Sequence, residues 1–196
     1  MLGNLLKKGY IIDVKELNEA YQKILLWFFS YPTKEFGLNE LSTVLKISKT
    51  TAKRVVMQLV EEGFLKKEVI GRVWRIYCNQ NHKYNSTKKI VYNLMQIFNS
   101  GLVETIKELT ENPRAVILFG SYRKGDDDHT SDIDIAAEVL DDKDLRIKHL
   151  GVLKNFGYRK NVAVNLHIFS RNKVDLNLFS NIANGIILEG FLEVKP

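Results

Sequence analysis

The apolar positions change rhythm near residue 113, and the two rhythms predict two kinds of structure. From Glu16, Leu17, Ala20, Tyr21, Ile24, Leu25 and Phe28 recur at three- and four-residue spacing, which predicts an amphipathic helix that Pro32 stops. Leu38, Leu41, Val44 and Leu45 predict a short second helix. Ala52, Val55, Val56, Leu59 and Val60 fall on one helical face and predict a third, with Ser48 as its N-cap and Gly63 as its stop. Lys49, Thr50, Lys53, Arg54 and Met57 are then left largely on the outer side. Residues 64–69 and 73–78 are rich in β-branched and aromatic side chains and flank Gly71-Arg72, which predicts a β-hairpin with a basic tip. Over residues 86–111 the stripe Ile90, Val91, Leu94, Ile97 and Phe98, then Leu102, Val103, Ile106 and Leu109, is broken at Ser100-Gly101. A kinked connector or two helices both fit that break.

Past Pro113, strands alternate with helices. Residues 115–119 predict a short buried strand, and 131–139 a second with one polar face. A helix is expected over 142–156, a strand over 162–169 and a helix over 173–183, while 185–194 stay ambiguous. The expected fold class is α+β. Residues 1–84 form an N-terminal domain, 85–112 a helical connector, and 113–196 a domain with a small antiparallel or mixed sheet and helices on one face.

A chain of 196 residues, 45% hydrophobic and 27% charged with only 12 Gly and 3 Pro, is expected to be globular rather than disordered. The single cysteine, Cys78, excludes an intramolecular disulfide and a thiolate zinc cluster, which suits a reducing cytoplasm. No apolar run approaches the ~20 residues of a membrane helix. The Met1 to Lys8 segment places its basic pair after its apolar residues, the reverse of a secretory signal, so no export is expected. Charge divides the chain: residues 1–100 carry a net +8 and residues 101–196 a net −2. Positive charge confined to one segment is the footprint of a polyanion binder, against the plainer reading of a solvated basic surface.

Three helices followed by a hairpin, with a short turn at Lys46-Ile47-Ser48, resemble the winged helix-turn-helix domains of prokaryotic transcription regulators over roughly residues 14–80. The resemblance implies double-stranded DNA as a partner. Lys49, Thr50, Lys53 and Arg54 would enter the major groove and Arg72 would reach phosphates or the minor groove. Such regulators commonly dimerise, and the connector stripe is open to two readings, a homodimer seam or packing against both domains.

The densest chemistry lies in the second half. The strand Val116-Ile117-Leu118-Phe119 runs into Gly120-Ser121, then Gly125, and the chain returns at Ser131-Asp132-Ile133-Asp134-Ile135. A glycine at a strand end lets backbone approach a ligand, and a serine opening the next helix sets a hydroxyl beside free N–H groups, a pairing suited to phosphate oxygens. Side chains two apart on a strand share a side, so Asp132 and Asp134 present paired carboxylates. Such a pair invites neutralisation by hard cations, and Mg²⁺ arrives with nucleoside triphosphates. Phosphoryl or nucleotidyl transfer follows as the expected chemistry. The plainer alternative is an acidic turn beside an ordinary strand.

Residues 116–135 resemble the minimal nucleotidyltransferase branch of the DNA polymerase beta superfamily, and the similarity extends over roughly residues 113–190. By that resemblance Gly120 and Ser121 bind the triphosphate and Asp132 and Asp134 hold magnesium. By their charge Arg123 and Lys124 are candidates for the triphosphate tail, against plain surface solvation. ATP is the expected nucleotide. The acceptor would be a hydroxyl on a small molecule or a protein, including a helical toxin partner, because minimal nucleotidyltransferases often accompany one. The sequence departs from the family where a third carboxylate is expected, since that position reads Asn165. An amide is no base. His167 is a candidate substitute, against plain packing or hydrogen bonding; Asp175 is read as a helix N-cap; and the run Asp126-Asp127-Asp128-His129 is read as solvated, with tuning of metal binding or contact with a basic acceptor as the alternative. Two functions remain: a transferase with an attached DNA-binding domain, or a catalytically degenerate regulator using the transferase fold as a nucleotide or metal sensor.

Overall fold

Asn18 opens the first helix of the structure, a computed structural model that describes residues 18–194. Its side chain accepts from the Ala20 N–H at 2.9 Å and caps α1 (Glu19–Ser30). The predicted start of this helix at Glu16 and Leu17, the Met1 to Lys8 segment and the outer ends of the two domains lie outside the described residues. After a two-residue strand β1 (Glu35–Phe36) come α2 (Leu38–Val44) and α3 (Lys49–Glu61), the latter capped by Ser48 Oγ, which accepts from the Thr51 N–H at 3.1 Å. β2 (Leu65–Ile70) and β3 (Val73–Cys78) form the expected hairpin, and β1 adds to its other side in the order β1-β3-β2. Two residues are too few to show alternation, which is why β1 left no mark in the pattern. Ile24, Phe28, Leu41, Val55, Leu59, Phe64 and Ile76 close one core between the three helices and this sheet.

The connecting stretch is two helices, α4 (Lys88–Asn99) and α5 (Leu102–Leu109), separated by Gly101 at φ +71°. Tyr92 of α4 belongs to the first core, whereas Ile97, Leu102, Val103 and Ile106 belong to the second. The break at Ser100-Gly101 is thus a boundary between two helices rather than a kink in one, and the first helix is shared between the cores.

The remaining elements are β4 (Ala115–Phe119), α6 (Gly120–Lys124), β5 (Ile133–Glu138), β6 (Arg146–Phe156), β7 (Arg159–Phe169), α7 (Leu176–Ala183) and β8 (Ile186–Gly190). They form a mixed sheet in the order β6-β7-β5-β4-β8, with β5 and β7 parallel and the other neighbours antiparallel. Two expectations are overturned. The helix read over 142–156 is the edge strand β6, paired along its length with β7. Leu150 and Leu153 both pack on the same core although they are three residues apart, because the register shifts between His149 and Gly151 and Leu150 is the extra residue. A bulge of this kind imitates helical spacing. Helices also cover both faces of the sheet: α5 packs with Val116, Leu118, Ile133 and Ile135, and α7 with Ile117, Phe119, Ala136 and Phe169. Asp175 does cap α7, accepting from the N–H groups of Asn177 and Leu178 at 2.9 and 3.2 Å. No helix among the described residues is long and apolar enough to cross a membrane.

Candidate functional site

The strand β4 ends at Phe119, and the chain turns at Gly120 with φ +72° into α6. A side chain is disfavoured there twice over. The backbone lies in the left-handed region, and an added Cβ would stand 3.0 Å from Asp134 Oδ2. The antiparallel register places Phe119 beside Asp134, the parallel β5–β7 register places Asp134 beside Asn165, and the β6–β7 register places Asn165 beside His149. One row therefore crosses four strands, and cross-strand neighbours in such a row share a face.

Asn165 Nδ2 donates toward both carboxylates, at 3.4 Å to Asp132 Oδ2 and 3.4 Å to Asp134 Oδ1. Its Oδ1 lies 3.2 Å from His149 Nδ1. His167 packs edge-on to Phe119, with Nε2 3.6 Å from Asp134 Oδ1 and with Nδ1 buried and lacking a hydrogen-bond partner. Among the described residues no Lys or Arg pairs with Asp132 or Asp134, and no group of three His, Cys, Asp or Glu side chains is gathered to hold a metal. The two converging carboxylates still supply the oxygen donors a hard divalent cation takes, with water and phosphate oxygens completing its shell. The residues thus fit Mg²⁺ on two carboxylates.

The loop joining α6 to β5 is fastened from outside the sheet. Gly125, at φ +79°, sits where a Cβ would fall onto the Asn85 carbonyl. Asp127, read from the sequence as solvated, is buried instead. Its Oδ1 lies 3.3 Å from Lys89 Nζ and accepts from Asn93 Nδ2 at 2.8 Å, and Lys89 also donates to the Asp127 carbonyl. Only 1% of Lys89 and 2% of Asp127 is exposed, so each charge depends on the other. Burial pushes the Asp127 carboxyl up and the Lys89 ammonium down, and their mutual attraction opposes both. Arg159 donates to the Tyr122 hydroxyl and to the Ser131 carbonyl, the latter at 2.8 Å, which ties β7 to the residue before Asp132. Asp128 accepts from the Thr130 Oγ1 and N–H at 2.7 and 2.8 Å, bonds that hold its carboxyl below the usual range. Asp126 is exposed, and His129 Nδ1 lies 3.2 Å from Thr33 Oγ1.

Gly120, Asp132, Asp134 and Asn165 are brought together. Ser121 is half-buried in the first turn of α6, and Arg123 and Lys124 stand in its last turn. Lys49, Thr50, Lys53 and Arg54 are exposed on α3, and Arg72 is exposed at the hairpin tip; Lys49, Lys53, Arg72 and Trp74 line one groove. Lys53 and Lys67 lie over the Trp74 ring, Nζ 5.8 and 4.4 Å from its centroid. Sequence reasoning missed His149, hidden by the helix misreading, and the Lys89, Asn93 and Arg159 supports. The buried residues Lys89, Tyr92, Asn93 and Ile97 share one helical face of α4, a mixed polar signal that an apolar search passes over.

No curated protein matches the chain. Residues 102–192, from the start of α5 to just past β8, match the family model described as polymerase beta, nucleotidyltransferase, which supports a nucleotidyltransferase domain in the C-terminal half of this chain.

Proposed function

We propose that the protein is a magnesium-dependent nucleotidyltransferase that moves a nucleoside monophosphate from an NTP, ATP first, to a hydroxyl of a protein or small molecule, and that it holds duplex DNA through an N-terminal winged helix. The carrying observation is the pair Asp132 and Asp134, converging beside the Gly120 turn with no Lys or Arg among the described residues to pair with them. These two side chains would hold the ion, which supplies charge neutralisation for the phosphoryl oxygens when bound. Gly120 and Ser121 would receive the triphosphate, with Arg123 and Lys124 toward its tail. Incubation with labelled ATP, Mg²⁺ and cell extract tests the reading: labelled product is expected, and its loss in Asp132→Ala. No product with any NTP would defeat it.

The exposed Lys49, Thr50, Lys53 and Arg54 and the net charge of +8 over residues 1–100 support the DNA assignment. Affinity for duplex DNA should fall steeply with salt, and Lys53→Ala should reduce the salt slope by about one. Affinity that ignores both salt and this substitution would remove the DNA-binding role.

Asn165 favours a second reading, a regulator whose transferase fold senses nucleotide without turning it over. Asn165→Asp separates the two. A large gain in transfer supports the sensor; activity already present and unchanged supports the enzyme.

A further inference from the structure

We infer that His149 is the general base of the transfer reaction, in place of the carboxylate that the family resemblance leads one to expect where Asn165 stands; this rests on the transferase reading above. Asn165 turns its NH₂ group toward Asp132 and Asp134, at 3.4 Å from each. Ionised carboxylates only accept, so the amide must face them with its donors and face His149 with its oxygen. That oxygen, 3.2 Å from Nδ1, takes only a donor. Nδ1 therefore carries a hydrogen, and in the neutral imidazole Nε2 is left with a free lone pair. An exposed residue on an edge strand keeps that nitrogen open to an incoming hydroxyl.

The local backbone supports the assignment. The β6 register shifts immediately after His149, and Gly151 takes φ +95° to complete the bulge, a device that re-aims a side chain beside a site. His149 lies in the same row as Asp134, two strand spacings or about 10 Å away with Asn165 between them, so an acceptor hydroxyl and an α-phosphate would lie over that amide. His167 is unsuited to the task. Its Nε2 faces Asp134 and its Nδ1 is enclosed, so neither nitrogen is open to an acceptor.

The step balances without another reactant. The acceptor oxygen forms a bond to the α-phosphorus as its proton passes to His149 Nε2, the bond from the α-phosphorus to the bridging oxygen breaks, and pyrophosphate leaves with that electron pair.

The test uses the full chain with ATP and Mg²⁺, water serving as acceptor, and follows pyrophosphate release together with ATP binding. His149→Ala should lower kcat 10²–10⁴-fold with little change in KM for ATP, the range general-base removal costs. His149→Gln, which keeps a donor for Asn165 but offers no base, should be equally slow, and added imidazole should restore the alanine variant. If the alanine variant stays within threefold of wild type, or if glutamine restores the rate, the base assignment is overturned while the transferase reading stands. If the wild type binds ATP yet forms product neither with water nor with cell extract, both fall.

Discussion

Asp127 and the pair Asp132 and Asp134 come from one short acidic segment, yet they meet opposite environments. Asp127 is closed off against Lys89 and Asn93 of α4, so its charge is answered inside the protein. Asp132 and Asp134 face a neutral amide and no Lys or Arg among the described residues, so their charge is left for something from outside. The difference separates a carboxylate whose charge is met inside the protein from carboxylates that no Lys or Arg among the described residues meets. It also shows why the loop between them can be rigid: the same turn that buries Asp127 carries Ser131, fixed by Arg159, into Asp132.

The contrast breaks most sharply at Lys89. Lys89→Met strands a buried carboxylate and should cost about 3–5 kcal/mol in urea unfolding, whereas Lys89→Met with Asp127→Leu should recover most of it. An equal loss in the double variant would mean that packing, not charge, sets the cost. Asp132→Asn should do the reverse, leaving unfolding unchanged or improved while slowing pyrophosphate release on the order of 10³-fold, about 4 kcal/mol. Gly120→Ala lies between the two kinds of effect. Strain at positive φ should cost about 1–2 kcal/mol, and crowding of Asp134 should weaken Mg²⁺ binding by calorimetry; unchanged binding would show that Asp134 tolerates the methyl group. The smallest effect belongs to Asp128. Its carboxyl is held low by Thr130, so its contribution is present above the unfolded carboxylate value near 4 and is lost as pH falls through the folded value. Asp128→Ala should cost about 0.5–1 kcal/mol at neutral pH, and the gap to wild type should close on acidification. A gap that widens in acid would reverse that sign.

Much of the architecture was legible because it rests on local periodicity. The α3 stripe, the Ser48 cap, the Asp175 cap and the strand–glycine–serine turn each depend on residues a few positions apart. What failed depended on partners far along the chain. β6 reads as a helix until β7 pairs with it, because the bulge at Leu150 sets Leu150 and Leu153 three apart on one side. Asp127 reads as solvated until Lys89, 38 residues earlier, is packed over it.

The sequence by itself determined the two rhythms, the basic first half, the Gly120-Ser121 turn and the identity of every carboxylate and amide at the site, since composition, spacing and strand parity are properties of neighbouring residues. Only the tertiary structure decided which carboxylate is neutralised and which is open, and that His149 stands across Asn165 from the pair. Charge compensation and hydrogen bonding act through space, and only sheet register and helix packing bring distant side chains within their reach.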